Sequence, residues 1–348
     1  MRAFSNFSIF LLCLAILVID VLAFYWLQSI TQLMNMPNLR LSIHIAFWFF
    51  TIGLITSIGI LKVRLDNIHP QRKHLLITSL YGLTVSSFIP KIIFIIIISF
   101  LYFSNHVLSE KESLVVIPVI GLLAGFLPFF VIIYAIFKAL YRFKVHHLHV
   151  KTKHAPAAFQ GLKIVHISDL HLGSFNFRYH ILDRAIHLIN HLEPDLIFFT
   201  GDLVNNFAWE LKGWSQVLEK LSAKRGKFSV LGNHDYGDYV KWKSPQAKKQ
   251  NLKDLMKAHE MMGWNLMMDE NHIITESGEK LALIGVQNIG IGRFPWYGNL
   301  SKAYQGTEEA STKLLLSHDP THWNAEVTKN RKFHDIDVAF AGHTHGAQ

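Results

Sequence analysis

The chain has 348 residues, enough for two domains of ordinary size; half of them are hydrophobic and 17% are charged, against roughly 25% charged in an average soluble protein. Disorder needs few apolar residues and many charges, so a disordered chain is excluded, and a single cysteine, Cys13, excludes a disulfide framework or a Cys-built zinc site. The net charge of +9 divides unevenly, with +7 on residues 1–150 (11 Lys/Arg, 4 Asp/Glu) and +2 on residues 151–348 (23 and 21).

A nucleic-acid binder would concentrate that charge on a folded soluble domain. Here it lies beside apolar segments, so no nucleic-acid partner is expected and membrane topology is the better explanation. A span needs about 20 predominantly apolar residues, and four segments qualify: Phe7–Leu27, Leu41–Leu61, Leu75–Phe103 and Leu114–Tyr141. The first is too long, and too poor in basic residues ahead of it, for a cleaved signal peptide. The third contains Pro90 and reads as one tilted, kinked span. Lys62, Arg64, Arg72 and Lys73 crowd the second connection, and Lys138, Arg142 and Lys144 follow the fourth span. Positive loops face the cytoplasm, so both termini and the C-terminal half are expected there, in a multi-pass protein of the cytoplasmic or inner membrane. Asp20 and Lys91 lie inside spans, where ionisable groups are costly. The expectation is a structural hydrogen bond for Asp20 and a snorkelling Lys91. His146, His147 and His149 sit in a basic juxtamembrane stretch and read as interfacial packing.

Residues 1–144 therefore read as a transmembrane domain, with the bilayer as partner, and 145–160 as a polar linker. From residue 161 the pattern changes to short β-branched runs alternating with helical periodicity. Strands are expected at Lys163–Ser168, Asp195–Thr200, Lys227–Leu231, Leu281–Gln287, Lys313–Ser317 and Asp337–Ala341. Helices are expected at Arg178–His191, Ala208–Ala223 and Ser244–Met262. Such alternation implies an α/β sheet with parallel strands, whose ligands bind beyond the carboxyl ends of the strands.

Five of these strands end in metal-ligand residue types: Asp169 and His171 (DLH), Asp202 (GD), Asn233, His234 and Asp235 (GNHD), His318 and Asp319, and His343 and His345 (GHTH). Asp and His at i and i+2 can point the same way. Carboxylate and imidazole without thiolate suit first-row divalent ions of the Mn, Fe or Zn class. Asp169, His171, Asp202, Asn233, His318, His343 and His345 are too many donors for one tetrahedral ion and fit two ions, the apparatus for displacement at phosphorus. Gly201, Gly232 and Gly342 allow the sharp turns this requires. His166 is expected to point away as a core residue. The other histidines read as solvated or core residues.

In order and spacing these blocks resemble the calcineurin-like metallophosphoesterase superfamily, over roughly residues 161–348. With its apolar leader the chain is similar to the transmembrane subgroup, whose soluble relatives include bacterial phosphodiesterases and UDP-diacylglucosamine hydrolases. The resemblance implies that Asp169, His171 and His345 hold one metal ion and Asn233, His318 and His343 a second, with Asp202 bridging. It implies that His234 contacts the phosphate as general acid and that Asp235 orients His234. It also implies further strands after the GHTH block, so the α/β metallophosphoesterase sandwich at 161–348 is expected to be truncated at its C-terminus. The expected function is a membrane-anchored phosphohydrolase that cleaves a phosphomonoester, phosphodiester or pyrophosphate with dimetal-activated water. A lipid-linked substrate is among the expectations. The alternatives are a weakly catalytic binding or signalling scaffold on the same fold, and a transporter, for which two intramembrane charges give little support. The aromatic segment 289–305, with Arg293, is either a substrate-contacting loop or an ordinary surface loop.

Overall fold

The computed structural model describes residues 5–103 except 33 and 65–69, isolated positions between 120 and 134, and residues 143–345 except 153–154, 176–178 and 293. The chain divides into two compact units near residue 143.

Among the described residues of the N-terminal unit three helices are long and apolar enough to cross a membrane: α1 (Asn6–Thr31), α2 (Pro37–Arg64) and the Ser79–Phe100 stretch of α3 (Pro70–Phe103), which carries Pro90 in its interior. The fourth predicted span, Leu114–Tyr141, lies outside the described residues save for isolated positions. Most of the apolar side chains on these helices are exposed in the isolated chain, the surface a bilayer covers.

The helices meet through polar contacts as well as apolar ones. Asp20 on α1, 2% exposed, pairs with Lys91 Nζ on α3 at 2.7 Å and accepts a hydrogen bond from Thr51 on α2. Thr31 Oγ1 lies 2.8 Å from His44 Nε2. Lys91 also stands 4.8 Å from the centre of the Phe47 ring, a cation–π arrangement. Lys91 therefore does not snorkel: a carboxylate inside the bundle satisfies it more completely than the distant interface. Removing one partner of a buried ion pair leaves an uncompensated charge and costs about 3–5 kcal/mol, whereas replacing both with apolar groups is close to neutral. Asp20→Ala is thus expected to lower the thermal midpoint of the detergent-solubilised protein. Asp20→Leu combined with Lys91→Met should recover most of it; a double variant no better than the single one would show that the pair does not hold the helices.

The C-terminal unit begins before the predicted boundary. Phe159, in the segment read as linker, is buried between the two sheets, and the Ala158 amide donates to Glu279 Oε2 at 2.7 Å. The first sheet is parallel throughout, in the order β1 (Ile164–Ile167), β2 (Leu196–Phe199), β3 (Lys227–Ser229), β4 (Asn265–Leu266). The second is mixed. β5 (Glu270–Glu276) pairs antiparallel with β6 (Glu279–Gly285), and β7 (Thr312–Leu316) and β8 (Val338–Phe340) follow in parallel.

Side-chain alternation builds the layers. Leu196 and Phe198 face Leu281, Leu283, Leu314 and Leu316 between the sheets. Ile197 and Phe199 face Leu182 and Ile186 of the helix Tyr179–His191, together with Trp214 and Leu255. Ile284 and Leu315 turn outward to Leu300, Tyr304 and Phe333. The result is helices, sheet, sheet, helices.

Three expectations change. The predicted helix Ala208–Ala223 is a 3₁₀ turn at Ala208–Leu211 and one α-turn at Ser215–Leu218, interrupted at Gly213, whose φ is +83°. β5 was not anticipated, and its pairing with β6 is antiparallel rather than parallel. The hairpin is closed by Ser277 and Gly278, both with positive φ, as a two-residue hairpin turn requires. His166 is exposed rather than part of the core; its Nε2 lies 2.8 Å from Thr200 Oγ1 and its ring packs edge-on against Phe340.

Candidate metal centre

The carboxyl ends of β1, β2, β3, β7 and β8 converge. Ligand atoms of Asp169, His171, Asp202 and His345 all lie within 4.8 Å of one another. His171 Nε2 is 3.2 Å from His345 Nε2 and 3.5 Å from Asp202 Oδ2, and His345 Nε2 is 3.5 Å from Asp169 Oδ1. Beside this group, Asn233 Oδ1 lies 2.9 Å from both His318 Nε2 and His343 Nδ1. Asp202, 1% exposed, stands between the two groups: its Oδ2 is 3.3 Å from His318 Nε2, and its Oδ1 accepts the His234 amide at 2.9 Å.

Backbone conformation does much of the gathering. Asp169, His171, Asp202, His343 and His345 all have positive φ, between +44° and +71°. Only a few per cent of non-glycine residues adopt this region, and such strain clusters at functional sites. The neighbouring glycines are required by close approach. A Cβ on Gly232 would overlap Asp202 Oδ1, and one on Gly342 would overlap Ser168 Oγ and Asp169 Oδ2. The β8 turn is tied to the β1 turn where the His343 amide donates to both oxygens of Asp169, at 3.1 and 3.0 Å.

The donor set fits a cation. A carbonyl can only accept, so the 2.7 Å contact of His318 Nδ1 with the Thr200 carbonyl places the proton on Nδ1. His318 Nε2 then faces Asn233 Oδ1 and Asp202 Oδ2; protonated it donates to them, and a divalent ion taking the place of that proton would find its lone pair beside both oxygens. In the same way Asn205 Oδ1, 3.1 Å from His171 Nδ1, leaves the lone pair of His171 on Nε2, facing His345. Burial pushes the pKa of His171 and of His343 down, keeping both rings neutral and able to ligate. Burial also disfavours a charged His318, but its contact with Asp202 outweighs this and raises it to about 9. Burial opposes ionisation of Asp202 as well; His318 and the surrounding imidazoles hold it below the usual carboxylate range nonetheless.

His234 and Asp235 differ from the expected relation. His234 Nδ1 lies 2.8 Å from the Asn205 carbonyl, not against Asp235. Asp235, fully buried, accepts the backbone amides of Asp202 and Gly232 at 2.9 Å on one oxygen, and those of Leu203 and Val204 at 2.9 and 3.2 Å on the other. It braces the β2 and β3 turns. The ring of His234 is oriented by Asn205.

Asn205 is the main residue missed in the sequence. Its side chain sets the tautomer of His171, its carbonyl sets His234, and its amide donates to Glu210 Oε2 at 2.6 Å. Burial pushes Glu210 from its ordinary 4.5 up to about 7, against backbone donors that favour the charged form. A raised folded-state pKa means that the folded protein holds an extra proton between about pH 4.5 and 7, so this contribution to stability is lost as pH rises through 7. Glu210→Gln, which cannot ionise, should therefore gain on the wild type by up to about 3 kcal/mol between pH 5 and pH 8. Parallel melting curves at the two pH values would contradict it.

Tyr239 was also missed. Asn233 Nδ2 donates to its hydroxyl at 2.6 Å, which turns Asn233 Oδ1 toward His318 and His343, and its ring packs on His234 at 4.4 Å. Tyr239→Phe keeps the ring and frees the amide. It is expected to weaken divalent-ion binding at the Asn233–His318–His343 group about tenfold while sparing the Asp169–His171–His345 group. Calorimetric Mn²⁺ titration separates the two; equal weakening of both would contradict this role.

A family model described as calcineurin-like phosphoesterase matches residues 162–347. The chain belongs to the calcineurin-like phosphoesterase family. A second model, described as a probable calcineurin-like phosphoesterase transmembrane domain, matches residues 2–140, which with the three apolar helices makes this a membrane protein. Similar proteins include the uncharacterized metallophosphoesterase YkuE of Bacillus subtilis, 29% identical over 57% of this chain and 63% of its own. A transmembrane protein with metallophosphoesterase domain from Danio rerio is 27% identical over 62% of this chain and 47% of its own. The putative metallophosphoesterase F40B5.2 of Caenorhabditis elegans is 26% identical over 92% and 63%. The chain thus spans less than two thirds of the length of each of these relatives.

Proposed function

We propose that the protein hydrolyses a phosphoester or phosphoanhydride at the membrane, with two divalent ions held by the converging strand ends and the catalytic unit on the cytoplasmic side. The observation that carries this is Asp202 standing between two sets of imidazole nitrogens, with His171 Nε2 and His318 Nε2 both turned toward one of its oxygens. Asp169, His171 and His345 would hold one ion and Asn233, His318 and His343 the other. Such ions act as Lewis acids on phosphoryl oxygens and lower the pKa of water. His234, with its Nδ1–H directed at the Asn205 carbonyl, keeps Nε2 for the proton that the leaving oxygen needs. Asp235 and Asn205 hold the turns that carry these groups. A phosphate ester is the natural ligand for a dimetal site that retains positive charge, and an anchored catalytic unit favours a lipid-linked phosphoester.

The test is turnover of p-nitrophenyl phosphate and bis-p-nitrophenyl phosphate by the purified full chain with added Mn²⁺, with and without chelator. Hydrolysis that stops with chelator supports the proposal, and the ratio of the two rates separates monoester from diester preference. Bound Mn²⁺ without turnover of either ester would favour the scaffold.

A further inference from the structure

After Pro156 only six large apolar or aromatic side chains are exposed among the described residues, and four of them, Tyr239, Ile291, Trp296 and Tyr297, fall on two adjoining segments. The segments are joined where Tyr297 stacks on Tyr236 at 3.9 Å and its hydroxyl donates to Asp238 at 2.7 Å. The loop carrying Ile291 and Trp296 is braced rather than slack. Ile289 bridges Trp296, the Gly290 amide donates to the Pro295 carbonyl at 3.1 Å, and buried Asp269 accepts the amides of Gln287 and Asn299. A braced loop that leaves Trp296 53% exposed presents that ring instead of folding it away.

The rim belongs to the mouth of the metal centre. Phe294 of the same loop meets His343 edge-on at 4.6 Å, and Tyr239 lies over His234. Lys241 and Lys243, both exposed, follow Tyr239. Tryptophan and tyrosine with flanking lysines is the composition that settles at a bilayer interface, where aromatic rings enter the headgroup layer and lysines meet anionic lipid. The same chain carries apolar spans, and the connection 144–156 can extend no further than about 45 Å. The bilayer that holds these spans is therefore within reach of this unit.

We propose that Tyr239, Ile291, Trp296 and Tyr297 dock the mouth of the metal centre onto the bilayer surface, so that the phosphoester it takes lies in the headgroup layer. The substrate part of this rests on the phosphohydrolase reading above; the docking part does not. For docking, Trp296→Cys in a Cys13→Ser background is labelled with a polarity-sensitive fluorophore, and the full chain is reconstituted in vesicles of phosphatidylcholine with phosphatidylglycerol. The label should shift to the blue and be quenched by lipid-borne quenchers, whereas a label at Lys220→Cys, on another exposed position, should not. Equal responses at the two positions would overturn docking. For substrate, Ile291→Ser with Trp296→Ser should lower hydrolysis of a vesicle-embedded phosphoester about tenfold and leave soluble bis-p-nitrophenyl phosphate within about twofold. Equal losses on both would mean that the rim serves the substrate or the fold rather than the bilayer. Failure of the wild type on every ester would sink the enzymatic reading while the fluorescence still decides docking.

Discussion

Asp202→Ala is expected to reduce metal-dependent hydrolysis more than about 100-fold, beyond what loss of an outer partner of a ligand usually costs. The reason is position. One carboxylate oxygen faces His171 and His318 from a buried site, and the other fixes the His234 amide. Both proposed ion positions would lose their shared negative charge, and the loop bearing His234, the proposed proton donor, would lose an anchor. Metal content measured after dialysis should fall from two ions to one or fewer, because Asn233, His318 and His343 are left without a carboxylate between them and Asp169 alone remains beside His171 and His345. Retention of two ions, or activity within about tenfold of the wild type, would remove Asp202 from the bridging position.

Asp235→Ala should be the most damaging change to stability in the C-terminal unit. It strands four buried backbone amides, those of Asp202, Leu203, Val204 and Gly232. Each unsatisfied buried donor costs about 1–3 kcal/mol, less than additively when they share one acceptor, so a total of roughly 4 kcal/mol and a midpoint about 10 °C lower are expected. Burial and the charge of Asp202 push the Asp235 carboxyl up to about 7, while the backbone donors restrain the rise. Because Asp235 does not touch the His234 ring, whatever activity survives should keep the shape of the wild-type pH–rate profile. A shifted acid limb would mean that Asp235 tunes His234 after all. Thermal melts and pH–rate profiles on the same preparation separate the two cases.

The strands that carry the site are legible in the sequence because their apolar runs are short and end in Gly-Asp, Gly-Asn-His or Gly-His, a change of composition at the point where a parallel sheet exposes its ligand edge. The spans are legible because hydrocarbon thickness sets a length. What stays hidden depends on contacts between distant residues. An asparagine two places after Gly-Asp-Leu reads as a turn residue, and nothing local shows that Asn205 reaches His171, 34 positions away. Lys91 near a proline reads as a helix-end lysine until Asp20, 71 positions earlier, is placed beside it. β5 alternates polar with half-buried residues and has no fully buried position, so its apolar signal is too weak to find. Gly213 was visible, but a lone glycine in an otherwise periodic stretch is often tolerated. Here it ends the helix.

The left-handed backbone at five of the proposed ligands has a consequence for how mutagenesis at this centre is interpreted. Alanine at Asp202 changes two properties together, since it deletes the carboxylate and installs a residue that disfavours positive φ by about 1–2 kcal/mol. Asparagine tolerates that conformation, so Asp202→Asn alters charge and ligation while leaving the chain path at ease. The gap in melting temperature between the two metal-free variants then combines the conformational tension of the loop with the loss of the acceptor for the His234 amide, which asparagine keeps and alanine lacks. An alanine scan of the other left-handed positions would record that tension as if it were lost metal affinity.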